Sequence, residues 1–315
     1  MYDIIVIGAG SGGLNIAVFM ATAGFKVLLI DKRDESIGGD CLNHGCIPSK
    51  SLIHVAREIY IARTVGKYGV TTTGEVDLSC VMKSVQEKIV TIRKRENADY
   101  FRALGVDVIL GIATISGRNH VTVLGETYIG KNIILAAGSR PRKLAIPVGE
   151  HAHVITNEDV FTLTELPKKL VVVGVGPIGI ELGQAFLMLG SSVTFIGNES
   201  RILPREKETY ARVIYDNLLS QGATFHFSSE VIEVQDDTTI IIKSKETQEM
   251  SSLPADTILV AIGRQLNIEN LGLEAAGIQV ENGKIVVDEY LRTTNKHVYV
   301  CGDIAGGYQF THAAE

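Results

Sequence analysis

The stretch Gly38-Gly39-Asp40-Cys41-Leu42-Asn43-His44-Gly45-Cys46-Ile47-Pro48-Ser49-Lys50 holds the side chains with the most chemistry in the chain. Its two thiols are separated by four residues, and the second stands where a helix is expected to begin, just before Pro48. A helix N-terminus, with its free N–H groups and dipole, lowers a thiol's pKa, and the thiolate is the form that attacks a disulfide or donates charge. Lys50, one turn further on, adds positive charge. The same pair also fits two buried structural thiols or half of a metal site, although a metal site calls for further Cys or His clusters. His44, beside a glycine, reads as a loop residue, and no metal ligands are assigned. Cys80, in the helical run Leu78 to Val85, and Cys301, after the strand Val298 to Val300, read as small core residues.

Two further constellations suit phosphate. An apolar strand through Ile7 leads into Gly8-Ala9-Gly10-Ser11-Gly12-Gly13, and Val171-Val172-Val173 leads into Gly174-Val175-Gly176-Pro177-Ile178-Gly179. In a G-x-G-x-x-G turn the first glycine makes the turn, the second lets the backbone approach a pyrophosphate, and the third permits close strand–helix packing. One such turn is weak evidence, since glycine turns also serve plain packing. Here the whole unit repeats at one constant offset: Gly8, Gly10, Gly13 and Gly24 correspond to Gly174, Gly176, Gly179 and Gly190. Each unit then adds a helix, to Ala23 or Leu189, and a second strand, Lys26 to Ile30 or Val193 to Ile196. That second strand ends at the position that reads a ribose. In the first unit this is Asp31, a carboxylate suited to the 2′- and 3′-hydroxyls; in the second it is Gly197, with Glu199 nearby and Arg201 able to meet a 2′-phosphate. Nicotinamide preference is therefore open.

The elements around these motifs give an α/β fold: two Rossmann-like dinucleotide-binding domains, the second inserted in the first. The expected segments are 1–147, 148–264, and 265–315 returning to the first domain. Between the frames, Ser49 to Thr64 reads as one helix and Leu78 to Leu104 as another, with Val81, Val85, Ile89, Ile92 and Phe101 at helical spacing before Gly105. The run Val106 to Ser139 is β-rich and ends in the strand Ile133 to Ala137; a similar ending recurs at Ile258 to Gly263.

Bulk properties narrow the function. At 315 residues, 45% hydrophobic and 21% charged, the chain can bury more than one core, and 32 glycines against seven prolines suit a fold rich in tight turns. A formal net charge of −6 argues against a nucleic-acid or anionic-membrane surface. Ile4 to Phe25 carries no formal charge, but Asp3 and the glycines make it a strand, turn and helix rather than a membrane span or signal peptide. A soluble, cytoplasmic protein is expected. Four cysteines are too few for a secreted disulfide scaffold.

Taken together, the sequence resembles the pyridine nucleotide-disulfide oxidoreductases, with members such as dihydrolipoamide dehydrogenase and mercuric reductase. The resemblance rests on the G-G-x-C-x-x-x-x-G-C-x-P-S-K block, the two dinucleotide turns with Glu181 after Gly179, the Ala136 to Pro141 strand end, Ala261-Ile262-Gly263-Arg264 and Val300-Cys301-Gly302-Asp303. It implies FAD on Gly8, Gly10, Gly13 and Asp31, with Ala113 near the adenine, Gly138 at the strand end and Asp303 on the ribityl chain. It implies NAD(P)H on Gly174, Gly176 and Gly179. Further cofactor contacts fall on Ser11, Gly12, Lys32, Gly39, Asp40, Gly45, Ala137, Ser139, Arg140, Pro177, Ile178, Gly263, Arg264 and Gly302. Lys50 and Glu181 would pair beside the flavin, Cys46 would be the flavin-proximal thiol, and Cys41 would exchange with substrate. Hydride would pass from nicotinamide to flavin and electrons on to a Cys41–Cys46 disulfide, with direction unfixed.

The substrate implied is a small or protein-bound dithiol or disulfide, or a metal ion, and the full-length form a homodimer. Family members commonly have threonine at Asp40, and the dihydrolipoamide branch an acidic residue at Gly197. The family continues past Glu315 into a dimerisation domain that supplies a catalytic His, so the chain reads as truncated; His312 lies too early to be that base and is expected near the flavin. Two competing readings are an NAD(P)H oxidase or transhydrogenase with a vestigial pair, and an FAD-binding redox sensor without turnover.

Overall fold

The computed structural model describes all 315 residues. Eight α-helices are interleaved with short strands: α1 (Ser11–Thr22), α2 (Gly39–Asn43), α3 (Cys46–Thr64), α4 (Leu78–Arg93), α5 (Ala98–Ala103), α6 (Pro177–Leu189), α7 (Glu208–Ser220) and α8 (Thr311–Ala314). The chain divides into two compact units. One comprises Met1–Cys46, Ile89–Arg140 and Gln265–Glu315, the other Ile47–Lys88 and Pro141–Arg264.

In the first unit the strand Tyr2–Ile7 runs parallel between Val27–Asp31 and Glu126–Leu135. Asp107–Leu110 extends the sheet beyond Val27–Asp31, and Val298–Val300 pairs in parallel with the end of Glu126–Leu135. His120–Val123 and Ala113–Ile115 add an antiparallel flap to the start of that long strand. Alternation along the strands sorts the apolar side chains. Ile5, Ile7, Leu28 and Ile30 enter one core with Ile133, Leu135, Val298 and Val300. Ile4, Val6, Val27 and Leu29 enter another with Leu14 and Ala17 of α1. Strands apolar on both faces belong to a parallel sheet covered on both sides, which is why Ile4 to Ile7 and Val27 to Ile30 read as continuous hydrophobic runs. Because Val298–Val300 rejoins this sheet, the second dinucleotide frame is inserted in the first.

The second unit repeats the arrangement. Lys169–Val173 lies parallel between Ser192–Ile196 and Thr257–Val260, with Thr224–His226 and Val154–Ile155 at the edges. An antiparallel sheet of Ser229–Val234, Ile240–Ser244 and Met250–Leu253 accompanies it. The sequence repeat holds at the level of single hydrogen bonds. Gly8 N–H donates to Ile30 O and Gly174 N–H to Ile196 O, both at 2.8 Å. Gly8 has φ +108° and Gly174 φ +120°, and a Cβ on either would collide with the carbonyl of Ala136 or Ala261 respectively. Those are the residues where the neighbouring strands end, as Ala136 N–H bonds Ile7 O at 2.8 Å and Ala261 N–H bonds Val173 O at 2.7 Å.

Three expectations are corrected. The predicted helix from Leu78 to Leu104 is two helices, because Asn97 adopts extended backbone and its side chain accepts the Tyr100 N–H, starting α5 afresh while its amide donates to Arg93 O at 2.9 Å. Periodicity survived the break, so it could not reveal it. The helix expected from Ser49 begins at Cys46. Cys80 is exposed rather than a core residue: it lies in the first turn of α4, its thiol donating to Asp77. No helix is long and apolar enough to cross a membrane, and Ile4 to Phe25 is indeed a strand, a turn and a helix.

Candidate active site

The cysteine loop hangs from the first glycine turn. Gly38 and Gly39 take left-handed φ values of +88° and +58°. Gly38 N–H donates to Ala9 O at 2.9 Å. A Cβ on Gly39 would lie 2.6 Å from Gly10 Cα, so the two backbones come this close only because residue 39 is glycine. The Asn43 amide then ties the loop to Ile37 O and Gly39 O, while Arg93 grips Asn43 Oδ1 and Glu35 O. Gly45 clears the Asp40 carbonyl, which a Cβ would approach to 2.9 Å.

Cys41, in α2, and Cys46, the first residue of α3, are both part-buried thiols. Burial pushes the Cys41 thiol up to about 11; a hydrogen bond from Thr311 opposes this, the Cys46 side chain adds to it, and the Cys46 backbone N–H opposes it. Thr311 Oγ1 stands 3.3 Å from Cys46 Sγ. Further along α3, Lys50 Nζ meets Glu181 Oε2 of α6 at 2.6 Å in the ion pair expected from the sequence.

Asp31 closes the first frame. One carboxylate oxygen accepts the Ala9 N–H at 2.5 Å, and the other accepts the Lys32 N–H and the Ser36 hydroxyl. Lys32 itself is exposed. At the end of the same sheet Ser139 Oγ donates to Asp303 Oδ2 at 2.5 Å, after Gly138 has turned through φ +67°. Arg140 forms a two-pronged pair with Glu269 at 2.8 and 2.9 Å and bonds Asn267 Oδ1. That guanidinium holds the Glu269 carboxyl down at about 2. Asn267 in turn bonds the Ala137 and Gly138 carbonyls, bracing the strand end. Ala113 is buried in the flap, paired with Val123.

The second frame differs at the ribose position. Gly197 donates to His226 O, accepts from Ser229, and is buried under Val175, whose methyl carbon would lie 2.8 Å from a Cβ there. Arg201 is not free to meet a 2′-phosphate. Its two terminal nitrogens donate to the carbonyls of Ile202, Leu203, Pro204 and Glu206 at 2.9 to 3.2 Å, making it the strut of that loop. Glu199 is exposed, as are Pro177, Ile178 and Gly263. Arg264 is part-buried, its carbonyl accepting from Arg142 Nε.

Both turns fit a dinucleotide. Gly10 precedes α1 and Gly176 precedes α6, both in extended backbone, and no side chain caps either helix. The first-turn N–H groups are thus left for an anion, as a helix N-terminus at a phosphate requires. Beside Gly176 a Cβ would meet nothing within 4 Å, and beside Gly10 only Gly39.

Asn43, Arg93, Asn267, Glu269 and Thr311 were not singled out from the sequence. Their only signal is contact with the cysteine loop or strand end, and spacing along the chain carries none.

Two dinucleotide frames and a thiol pair at a helix start define a flavin-dependent thiol–disulfide oxidoreductase. The particular family follows from comparison: the sequence model described as pyridine nucleotide-disulphide oxidoreductase matches residues 2–315, and the chain belongs to that family. A dihydrolipoyl dehydrogenase of Bacillus subtilis (strain 168) is 33% identical over 332 residues, covering 99% of this chain and 69% of the relative. One from Acholeplasma laidlawii is 35% identical over 322 residues, covering 100% of this chain and 93% of the relative. Among solved structures, the HOCl-induced flavoprotein disulfide reductase RclA from Escherichia coli is 30% identical with a TM-score of 0.84, covering 99% of this chain and 68% of that one. The Cu(II) complex of the same reductase is equally similar. The protein is an FAD-dependent NAD(P)H-disulfide oxidoreductase.

Proposed function

We propose that this chain transfers an electron pair between NAD(P)H and a dithiol or disulfide substrate through Cys41 and Cys46. The observation that carries this reading is the pair itself: two part-buried thiols fixed by the Gly38–Gly39 turn and the start of α3, joined by the Thr311 hydroxyl. Residues 1–147 and 265–315 form the FAD-binding domain and 148–264 the NAD(P)H-binding domain.

FAD, when bound, would supply two-electron chemistry between a hydride donor and a disulfide. Gly10, Ser11, Gly12 and Gly13 at the start of α1 would hold its pyrophosphate, Asp31 its adenosine ribose, and Asp303, braced by Ser139, its ribityl chain. Gly174, Gly176 and Gly179 would serve the nicotinamide cofactor at α6 in the same way. Lys50 and Glu181 hold a fixed charge pair at the start of α3 and α6. The reduced pair has the chemistry of exchange: Cys41 Sγ attacks a substrate disulfide, one substrate thiol leaves, and Cys46 Sγ displaces the second from the mixed disulfide. The net change is NAD(P)H plus a proton plus disulfide to NAD(P)⁺ plus two thiols. Since burial keeps the Cys41 proton on its sulfur, a proton acceptor must act before it attacks.

A metal ion is the second substrate reading, favoured by the solved Cu(II) complex of the Escherichia coli reductase and by the affinity of thiolates for soft metals. The deciding experiment is anaerobic titration of the FAD-loaded protein with NADPH and then NADH. A long-wavelength absorption band at two-electron reduction, absent in Cys46→Ser, supports thiolate–flavin contact and gives the nicotinamide preference. Bleaching without a band would favour the oxidase or sensor reading.

A further inference from the structure

The Thr311 hydroxyl stands beside both sulfurs, although it lies 265 residues from Cys46 along the chain. Its carrier, α8, packs on α1 and on the turn at Cys301 and Gly302. Cys301 Sγ donates to Ala314 O at 3.4 Å. Gly12 of α1 leaves room for both, since a Cβ there would lie 2.6 Å from Cys301 Sγ and 3.1 Å from Ala314 O. On the other side, a Cβ on Gly302 would come within 3.3 Å of Ala314 Cβ. Two glycines and a part-buried thiol thus seat a four-residue helix whose first side chain reaches the redox pair.

A hydroxyl is suited to this position. It can accept from a thiol and, by rotating, donate to a thiolate. A donated bond favours the charged form of its acceptor, so it lowers the pKa of the sulfur it touches. We propose that Thr311 is a positioning residue of the thiol pair: it donates to whichever sulfur carries the negative charge and thereby sets the pH at which the reduced pair becomes reactive. The proposal rests on Cys41 and Cys46 being the redox pair, but it concerns the reduced thiols themselves and needs neither flavin nor substrate to be observed. Burial and the Cys46 side chain push the Cys41 thiol up, and the Thr311 hydroxyl, ahead of the Cys46 backbone N–H, offsets them. Other titratable groups on these elements are Asp40 and His44 in the cysteine loop, Lys50 on α3, Asp303 and Cys301 ahead of α8, and His312 and Glu315 on or next to it. None of them is altered by changing Thr311, so a shift reports the hydroxyl.

The test compares the wild-type chain with Thr311→Val, which keeps the shape and removes the hydroxyl, and Thr311→Ser, which keeps the hydroxyl. Each is reduced anaerobically and alkylated with iodoacetamide across pH, with the modified cysteine located by mass spectrometry. In Thr311→Val the midpoint of the more acidic thiol moves up by about one pH unit, equivalent to about a ten-fold loss of thiolate well below it. Thr311→Ser stays at the wild-type midpoint. Thr311→Ala, which has no branched side chain to crowd α3, gives the same shift as Thr311→Val if the latter folds poorly. Coincident midpoints for wild type, Thr311→Val and Thr311→Ala overturn the proposal, as does a shift in Thr311→Ser equal to that in Thr311→Val. A missing thiolate–flavin band in the wild type would instead sink the redox-pair reading, so the two failures are separable.

Discussion

The two glycine turns share their hydrogen bonds, their left-handed first glycine and their helix, yet they part at the residue that ends the second strand. In the first, Ala9 and Asp31 are partners, the small side chain leaving room for a carboxylate that accepts the Ala9 N–H. In the second, the corresponding residues are Val175 and Gly197, and the valine methyls occupy the space a side chain at 197 would need. The ribose-reading position is therefore a property of two residues that must change together. The missing acidic group at Gly197 is a packing choice in the second frame, made where the strand ends.

The largest effect comes from the feature the turns share. Gly8→Val and Gly174→Val each force a β-branched residue into left-handed backbone and drive its Cβ into a neighbouring carbonyl, at a cost of roughly 2–6 kcal/mol. Gly8→Val should emerge from gel filtration without flavin. Gly174→Val should keep its flavin, reducible by dithionite but not by NADH or NADPH. If both variants lose flavin equally, the turns do not serve separate nucleotides.

A medium effect tests the part that differs. Gly197→Asp alone overpacks Val175 and costs about 1–3 kcal/mol in thermal unfolding without improving NADH use. Combined with Val175→Ala, the carboxylate fits, stability recovers, and the ratio of kcat/KM for NADH over NADPH rises about ten-fold, matching one ribose hydrogen bond to a charged group. Additive penalties in the double variant would mean the two residues are not coupled.

The smallest effect concerns Arg201. Its loop strut predicts that Arg201→Met loses about 1–2 kcal/mol of stability and raises KM for both nicotinamides by a similar factor. A loss confined to NADPH would restore the 2′-phosphate role that the structure removes.

How much of this was legible depended on whether the cause was local. The strands, the glycine turns and the start of α3 could be read because each is written in consecutive residues: apolar runs, glycines at fixed spacing, a proline after a cysteine. The Lys50–Glu181 pair was reached through family resemblance rather than through spacing. The break at Asn97 was missed because an N-cap bond overrode a continuing apolar period. Cys80 was misplaced because a helix start has an outer face that composition does not mark. Arg201 was read as a ligand cation because a guanidinium looks available until its carbonyl partners are located. Thr311 and Asn267 were invisible, since what matters about them is which distant backbone lies beside them.

The valine over Gly197 also bears on how such a gene can change. A lineage drifting toward a ribose-reading carboxylate in its second frame loses stability if it starts at Gly197, where the side chain would collide with the Val175 methyls. The less costly order begins at Val175, where trimming to alanine clears the space above Gly197, and admits the acid second. Nucleotide preference in this half of the molecule is thus contingent on history: the less costly first mutation is the one that changes nothing about recognition.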